Sequence, residues 1–232
     1  MANIILYGSS LYNEPIFTCP YTKADRTELV TEFYLLDGNH RPQSIGLEAS
    51  IPLENALYVV RNWLPAANDL HQHLESTLQW SETYAKMGVK TFKSPRLLHL
   101  MGNVDVCYVK PWEKGCQQLR DNINAETGLI YNCALLSLYR TGHDHIPYHY
   151  DREIHRAWRH NPIPSTATVL LGSSRRFYLR DNITKTVIKV AINSGDLIIV
   201  TGDVHRTHMQ SFPRQGAKIG PSIIVGLRCL TL

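Results

Sequence analysis

His149 and Asp151 stand one residue apart in the run His145-Ile146-Pro147-Tyr148-His149-Tyr150-Asp151-Arg152-Glu153, a nitrogen donor and an oxygen donor at the spacing of a β-strand face. In an extended backbone, residues two apart point the same way and lie about 6.7 Å from each other. Imidazole and carboxylate can then close on one ion. Such donors, with coordination positions left open, suit non-haem Fe(II), which in oxygenases takes two His and one carboxylate on one face. The third donor has to come from another strand. A bare His-x-Asp pair is more often a surface turn, so the surrounding pattern decides.

The elements that must carry the pair are short and β-rich. After Leu129 the sequence predicts strands over 133–139, 166–171, 176–180, 186–192, 196–201, 205–212 and 222–230, divided by Gly172, Asp181-Asn182, Ser194-Gly195, Gly202-Asp203 and Gly220-Pro221. Many short strands with regular turn signals indicate a sandwich or jelly roll. Earlier, Ala56 to Val60 reads as a strand, and Leu70, Leu74 and Leu78 recur at helical spacing after Pro65. Trp112, Cys116, Leu119 and Ile123 predict a second helix, which Gly128 is placed to end. The fold class expected is α+β, a jelly roll backed by N-terminal helices.

Residues 84–110 show little periodicity and read as an exposed, partly ordered segment covering a site. Residues 1–48 hold plausible strands near 3–7 and 29–36. They read as an N-terminal extension to a domain over 49–232.

Bulk properties limit the classes open to the chain. Its 232 residues suffice for one domain with a real core. At 44% hydrophobic and 19% charged, the composition is that of a soluble globular protein. No apolar run approaches the roughly 18 residues of a membrane span, so no membrane partner is expected. The five cysteines, widely spaced and without a CxxC, suggest neither a zinc knuckle nor a disulfide framework. A reducing, intracellular compartment follows, cytoplasmic or nuclear, and a monomer is expected. No Gly-rich loop opens a helix, and no nucleophile elbow surrounds Ser173-Ser174.

Charge is unevenly placed. From Gly172 to Leu232 there are nine Lys/Arg and three Asp, a balance of +6, against 15 basic and 17 acidic residues over the first 171. A basic C-terminal segment can attract phosphates, although it also suits a solvated face.

The stretch Ile130 to Glu153 resembles the AlkB-like Fe(II)/2-oxoglutarate dioxygenases, which show Asn-x-x-Leu-x-Asn-x-Tyr followed by Gly-x-Asp-x-Ile-x-x-His-x-Asp-x-Glu in this spacing. Pro95-Arg96 resembles that family's nucleotide-recognition lid, here near 84–110, and Lys110-Pro111-Trp112 the start of its second helix. Gly172 to Arg180 resembles its Gly-x-x-Arg-x-Phe-x-x-Arg stretch, and Gly195-Asp196-Leu197 its Gly-Asp-Leu turn. The match runs from about residue 50 to the C-terminus.

The resemblance implies a double-stranded β-helix with Fe(II) and 2-oxoglutarate as cofactor and cosubstrate. His149 and Asp151 would be iron ligands. Tyr139 would donate to the distal carboxylate of 2-oxoglutarate, and Arg228 would pair with a cosubstrate carboxylate. Arg96, Glu153 and Arg176 fall on the substrate side. The partner implied is single-stranded or base-flipped nucleic acid, and the reaction is oxidative demethylation of N-alkylated bases in DNA or RNA.

Three places depart from the family pattern. Three residues before Pro213, where the family has its third ligand His, stands Gln210; His208, two residues earlier, is the replacement expected, with His205 behind it. Ser222 and Ile224 occupy positions where the family carries Arg and Asn, and Ser137 stands for a second Asn. The cosubstrate pocket is therefore expected from Tyr139, Ser137, Arg228 and Ser222, with Arg206, Arg214 or Lys218 as substitute cations. His143, His145, His155 and His160 read as loop residues. A catalytically degenerate fold serving as a nucleic-acid or protein binding module is the alternative.

Overall fold

A computed structural model describes residues 31–35, 43–44, 56–87, 90–102, 109–151 and 164–229. The strand expected near 3–7, together with Glu153, His155 and His160, lies outside the described residues. In chain order the elements are β1 (Thr31–Leu35), β2 (Gln43–Ser44), β3 (Ala56–Val60), α1 (Ala67–Thr77), β4 (Ser81–Met87), β5 (Lys90–Gly102), α2 (Lys114–Thr127) and β6 (Cys133–Tyr139). There follow β7 (Ile146–His149), β8 (Ser165–Gly172), β9 (Arg175–Asp181), β10 (Val187–Ile192), β11 (Leu197–Thr201), α3 (Val204–Thr207), β12 (His208–Phe212) and β13 (Ser222–Arg228).

The strands form two antiparallel sheets. The larger has the order β2-β1-β3-β11-β8-β13-β6-β5-β4, the smaller β10-β9-β12-β7. Strand parity decides where each side chain goes. On β13, Ile223, Val225 and Leu227 enter a core shared with Leu70 and Leu74 of α1 and with Cys116, Leu119 and Ile123 of α2. Ile224, between them, enters a second core with Phe177, Leu179, Val190, Ile192 and Phe212 of the smaller sheet. The same split separates Tyr58 and Val60 from Leu57 and Val59 on β3, and Leu197 and Ile199 from Ile198 and Val200 on β11. A sheet buried on both faces explains the near-continuous apolar runs of these strands. The result is the α+β jelly roll expected, with helices backing the larger sheet.

Helix α2 ends where Gly128 adopts φ 68°, the left-handed C-cap that glycine accepts without a Cβ penalty. Its start is closed by Glu113, whose side chain accepts from the Cys116 N–H at 2.9 Å.

Two local expectations change. The 84–110 segment is not irregular where it is described: β5 runs 13 residues, pairing with β4 on one side and β6 on the other. Its sequence hides this because β5 alternates weakly and gains its order from long-range pairing with β6. The strand expected over 205–212 begins only at His208; residues 204–207 form the short helical turn α3.

Candidate functional site

Between the two sheets lies a cavity of about 290 Å³, near the low end of the roughly 300–1,000 Å³ of small-molecule sites. The cavity-facing parity of the larger sheet supplies Ser137 and Tyr139 from β6, Thr166 and Thr168 from β8, and Arg228 from β13. His149 and Asp151 come from β7 and the residue following its neighbour, Gln210 from β12, and Arg96 from β5. Adjoining it is a void of about 10 Å³, room for about one water, lined by His149, Asp151, His205, His208 and Gln210 among others.

His149 is fixed by its own turn. Nδ1 lies 2.9 Å from the Pro147 carbonyl, which selects the tautomer that leaves Nε2 with a lone pair. Burial pushes its pKa below the usual range, against the Pro147 hydrogen bond, while the Arg96 and Arg228 charges push the same way as burial. A neutral imidazole results, the form that binds metal. Asp151 is 5% exposed, and its Oδ2 lies 2.7 Å from Arg228 Nη2.

The loop that delivers β7 is held from below. Asp144 accepts from Arg140 Nε at 2.8 Å, from Arg140 Nη2 at 3.1 Å and from the Arg140 backbone N–H at 3.0 Å. Burial alone would raise the Asp144 pKa; the Arg140 bonds outweigh it and hold the carboxyl below its usual range. Arg175, 2% exposed, donates to the carbonyls of Thr141 at 2.9 Å and Asp144 at 3.3 Å, and to Ser222 Oγ at 2.8 Å. Its guanidinium also sits 4.9 Å from the Tyr139 ring centroid. Tyr139 is buried, which raises its phenol to about 12 against the charges of Arg96 and Arg175. Its hydroxyl therefore stays a donor at any physiological pH.

The β12 side differs. Register places Gln210 directly opposite His149 on β7, with a shift between Gln210 and Phe212. His208 is paired with Asp181 of β9, its Nε2 3.6 Å from Asp181 Oδ2 and its Nδ1 2.8 Å from Thr207 Oγ1. His205 Nε2 lies 3.0 Å from the Val200 carbonyl. Both imidazoles are buried beside the small void rather than turned to solvent. Among the described residues no three His, Cys, Asp or Glu side chains converge as a metal site.

The donors thus fit iron in kind, a neutral imidazole at the end of β7 and a carboxylate two residues further on, and both line the void. Among the described residues no second imidazole joins them to complete a three-donor site.

Of the residues singled out by sequence, His149, Asp151, Tyr139, Ser137, Arg228 and Arg96 meet at the cavity. Ser222 does not: it is fully buried and its hydroxyl is taken by Arg175. Arg176 is exposed on the smaller sheet, its backbone N–H bonded to Gln215. Arg206, Arg214 and Lys218 are exposed, with Arg214 bonded to His143 and Arg206 near Asp203. Arg175, Thr166 and Thr168 were missed. The threonines carried a readable signal, as the polar alternate residues of an otherwise apolar run.

Comparison with known proteins bears on this geometry. No protein-family model matches the sequence. The DNA oxidative demethylase ALKBH2 of Homo sapiens is 24% identical over 185 residues, covering 72% of this chain and 69% of that protein. The alpha-ketoglutarate-dependent dioxygenase alkB homolog 3 of Bos taurus is 24% identical over 181 residues, covering 71% and 62%. The structure of OsALKBH1 superposes with a TM-score of 0.53 at 15% identity, over 75% of this chain and 97% of that one, a likeness of fold. No described helix is long and apolar enough to cross a membrane. With a His-x-Asp pair opening onto a cavity between two jelly-roll sheets, the chain is similar in sequence to AlkB-like proteins and shares their fold.

Proposed function

We propose that this protein is a 2-oxoglutarate-dependent dioxygenase that oxidatively demethylates N-alkylated nucleobases in single-stranded or base-flipped nucleic acid. The observation that carries the reading is the meeting of His149, Asp151, Tyr139 and two guanidiniums at one cavity. Relatives named as DNA oxidative demethylases support the reaction class.

His149 and Asp151 would hold iron, with His208 as third ligand once its ring turns from Asp181 toward the void. Iron bound there would supply activation of O₂, which takes two electrons from 2-oxoglutarate and two from the N-alkyl carbon. The chain's own residues do the rest. Pro147 holds the His149 tautomer, and Arg228 lies 2.7 Å from the Asp151 carboxyl and orients it. Tyr139 and Ser137 offer hydroxyl donors to an anion in the cavity, and the apolar surroundings of Ile146, Phe212 and Ile224 limit water there. The basic C-terminal segment would face phosphates.

Anaerobic titration with Fe(II) and 2-oxoglutarate should give the visible charge-transfer band of such complexes, and turnover on a methylated oligonucleotide should release succinate. His208→Ala should abolish both if His208 is the third ligand. A flat spectrum at saturating cosubstrate ends the reading.

A second reading is favoured by Gln210 standing opposite His149: a binding module on the same fold, without iron chemistry. It predicts salt-sensitive binding of single-stranded nucleic acid that chelators leave unchanged.

A further inference from the structure

Two guanidiniums, Arg96 and Arg228, line the cavity and a third, Arg175, lies against the Tyr139 ring; two of the three are already answered by the protein. Arg175 spends its N–H groups on Ser222 and on backbone carbonyls. Arg228 faces the Asp151 carboxylate at 2.7 Å. Arg96 is different. Its hydrogen bonds are two long ones to hydroxyls, Nε to Ser137 Oγ at 3.3 Å and Nη1 to Ser94 Oγ at 3.5 Å, and no carboxylate pairs with it among the described residues.

A guanidinium has five N–H donors and no acceptor, and a half-buried cation without an anion is held at a cost. Burial lowers the Arg96 pKa; the neighbouring Tyr139 opposes this and Arg228 adds to it. The pairing of β5 with β6, Leu98 opposite Ser137 and Leu97 opposite Leu138, brings Arg96 alongside the Tyr139 end of the cavity. Arg96, Ser137 and Tyr139 therefore present N–H and O–H groups to one end of the cavity. What satisfies such an end is an acceptor with a negative charge and a planar shape, a carboxylate.

We propose that Arg96 binds the distal carboxylate of a dicarboxylate held in this cavity, with Ser137 and Tyr139 beside it, and that it is a cosubstrate residue rather than a nucleic-acid contact. The inference rests on the proposed function only in naming 2-oxoglutarate as the dicarboxylate. It also accounts for Ser222: Arg175 occupies that corner and ties it to the β6–β7 loop, so the free cation comes from a different strand.

Equilibrium dialysis tests it with two keto acids, 2-oxoglutarate and 2-oxopentanoate, which carries a methyl group in place of the distal carboxylate, with Mn(II) present to prevent turnover. Arg96→Gln should weaken 2-oxoglutarate about ten- to a hundredfold, the loss of one charge-assisted pair. Arg96→Lys should lose less, and 2-oxopentanoate should change by less than about twofold. Thermal unfolding of both variants checks that they are folded, and the charge-retaining Lys variant keeps the comparison valid if Gln destabilises the strand.

Equal losses for both keto acids, an unchanged 2-oxoglutarate affinity, or a wild type that binds no dicarboxylate each overturn the assignment. Weakened oligonucleotide binding with unchanged 2-oxoglutarate binding returns Arg96 to the nucleic-acid side. Dialysis of succinate with chelator present separates this inference from the functional reading. Succinate bound by wild type and lost in Arg96→Gln sustains the carboxylate site even where no demethylation occurs. Demethylation with Arg96-independent binding sustains the enzyme and removes the anchor.

Discussion

On one side of the cavity, β6, β7 with the segment just after it, and β13 bring in Tyr139, His149, Asp151 and Arg228, each braced by a named neighbour. On the other, β12 sets an amide opposite His149, while His205 and His208 bond to Val200, Thr207 and Asp181. The first side is built around an ionic pair and a loop locked by Arg175 and Arg140. The second is ordered by bonds that lead away from the cavity. One half of a binding site can therefore hold its geometry while the facing half is rebuilt.

The largest effect should come from unbracing the ordered side. Arg228→Met leaves Asp151 buried with its strongest cation gone, and should cost about 3 kcal/mol in urea unfolding. Adding Asp151→Asn should return much of that loss. A cost below about 1 kcal/mol would mean that the two sides do not differ in this way. Next, Gln210→His supplies the facing side with an imidazole opposite His149. It should tighten Mn(II) binding by at least about tenfold, roughly 1.4 kcal/mol, read by isothermal calorimetry. No gain would place the limit elsewhere than β12.

The smallest effect is a control on the helix side of the large sheet. His71 of α1 is buried, and burial lowers its pKa although Glu75 opposes this. The folded state then binds its proton less readily than the unfolded state does. Above about pH 7.5 His71 is neutral in both states and makes no difference; as pH falls through 6.5 toward the lower folded value, stability drops. His71→Leu should flatten that slope between pH 5 and 7, measured by urea midpoints, and leave dicarboxylate binding unchanged. A changed affinity would mean that the helix layer reaches into the cavity.

Much of this was legible before any coordinates. His149 and Asp151 announce themselves because a two-residue spacing and a strand are local facts. The second helix and its glycine stop were readable for the same reason. The bracing by Arg175, the Arg228–Asp151 contact and the place of Arg96 beside Ser137 were not. Their roles depend on pairings between β5 and β6 or across β8, β9 and β13, and register between distant strands leaves little trace in either strand alone. Ser222 shows the difficulty in one residue. Its place in the pattern was readable, but nothing local says that Arg175, 47 positions earlier, would claim its hydroxyl.

The two-core sheet gives β13 an arithmetic of odd and even. Odd positions Ile223, Val225 and Leu227 answer to the helices, and even positions Ile224, Gly226 and Arg228 line the cavity. Substitution at even positions can rewrite what the protein recognises while the odd ones go on holding the layers together. A ligand preference can drift along such a strand without the architecture registering the change.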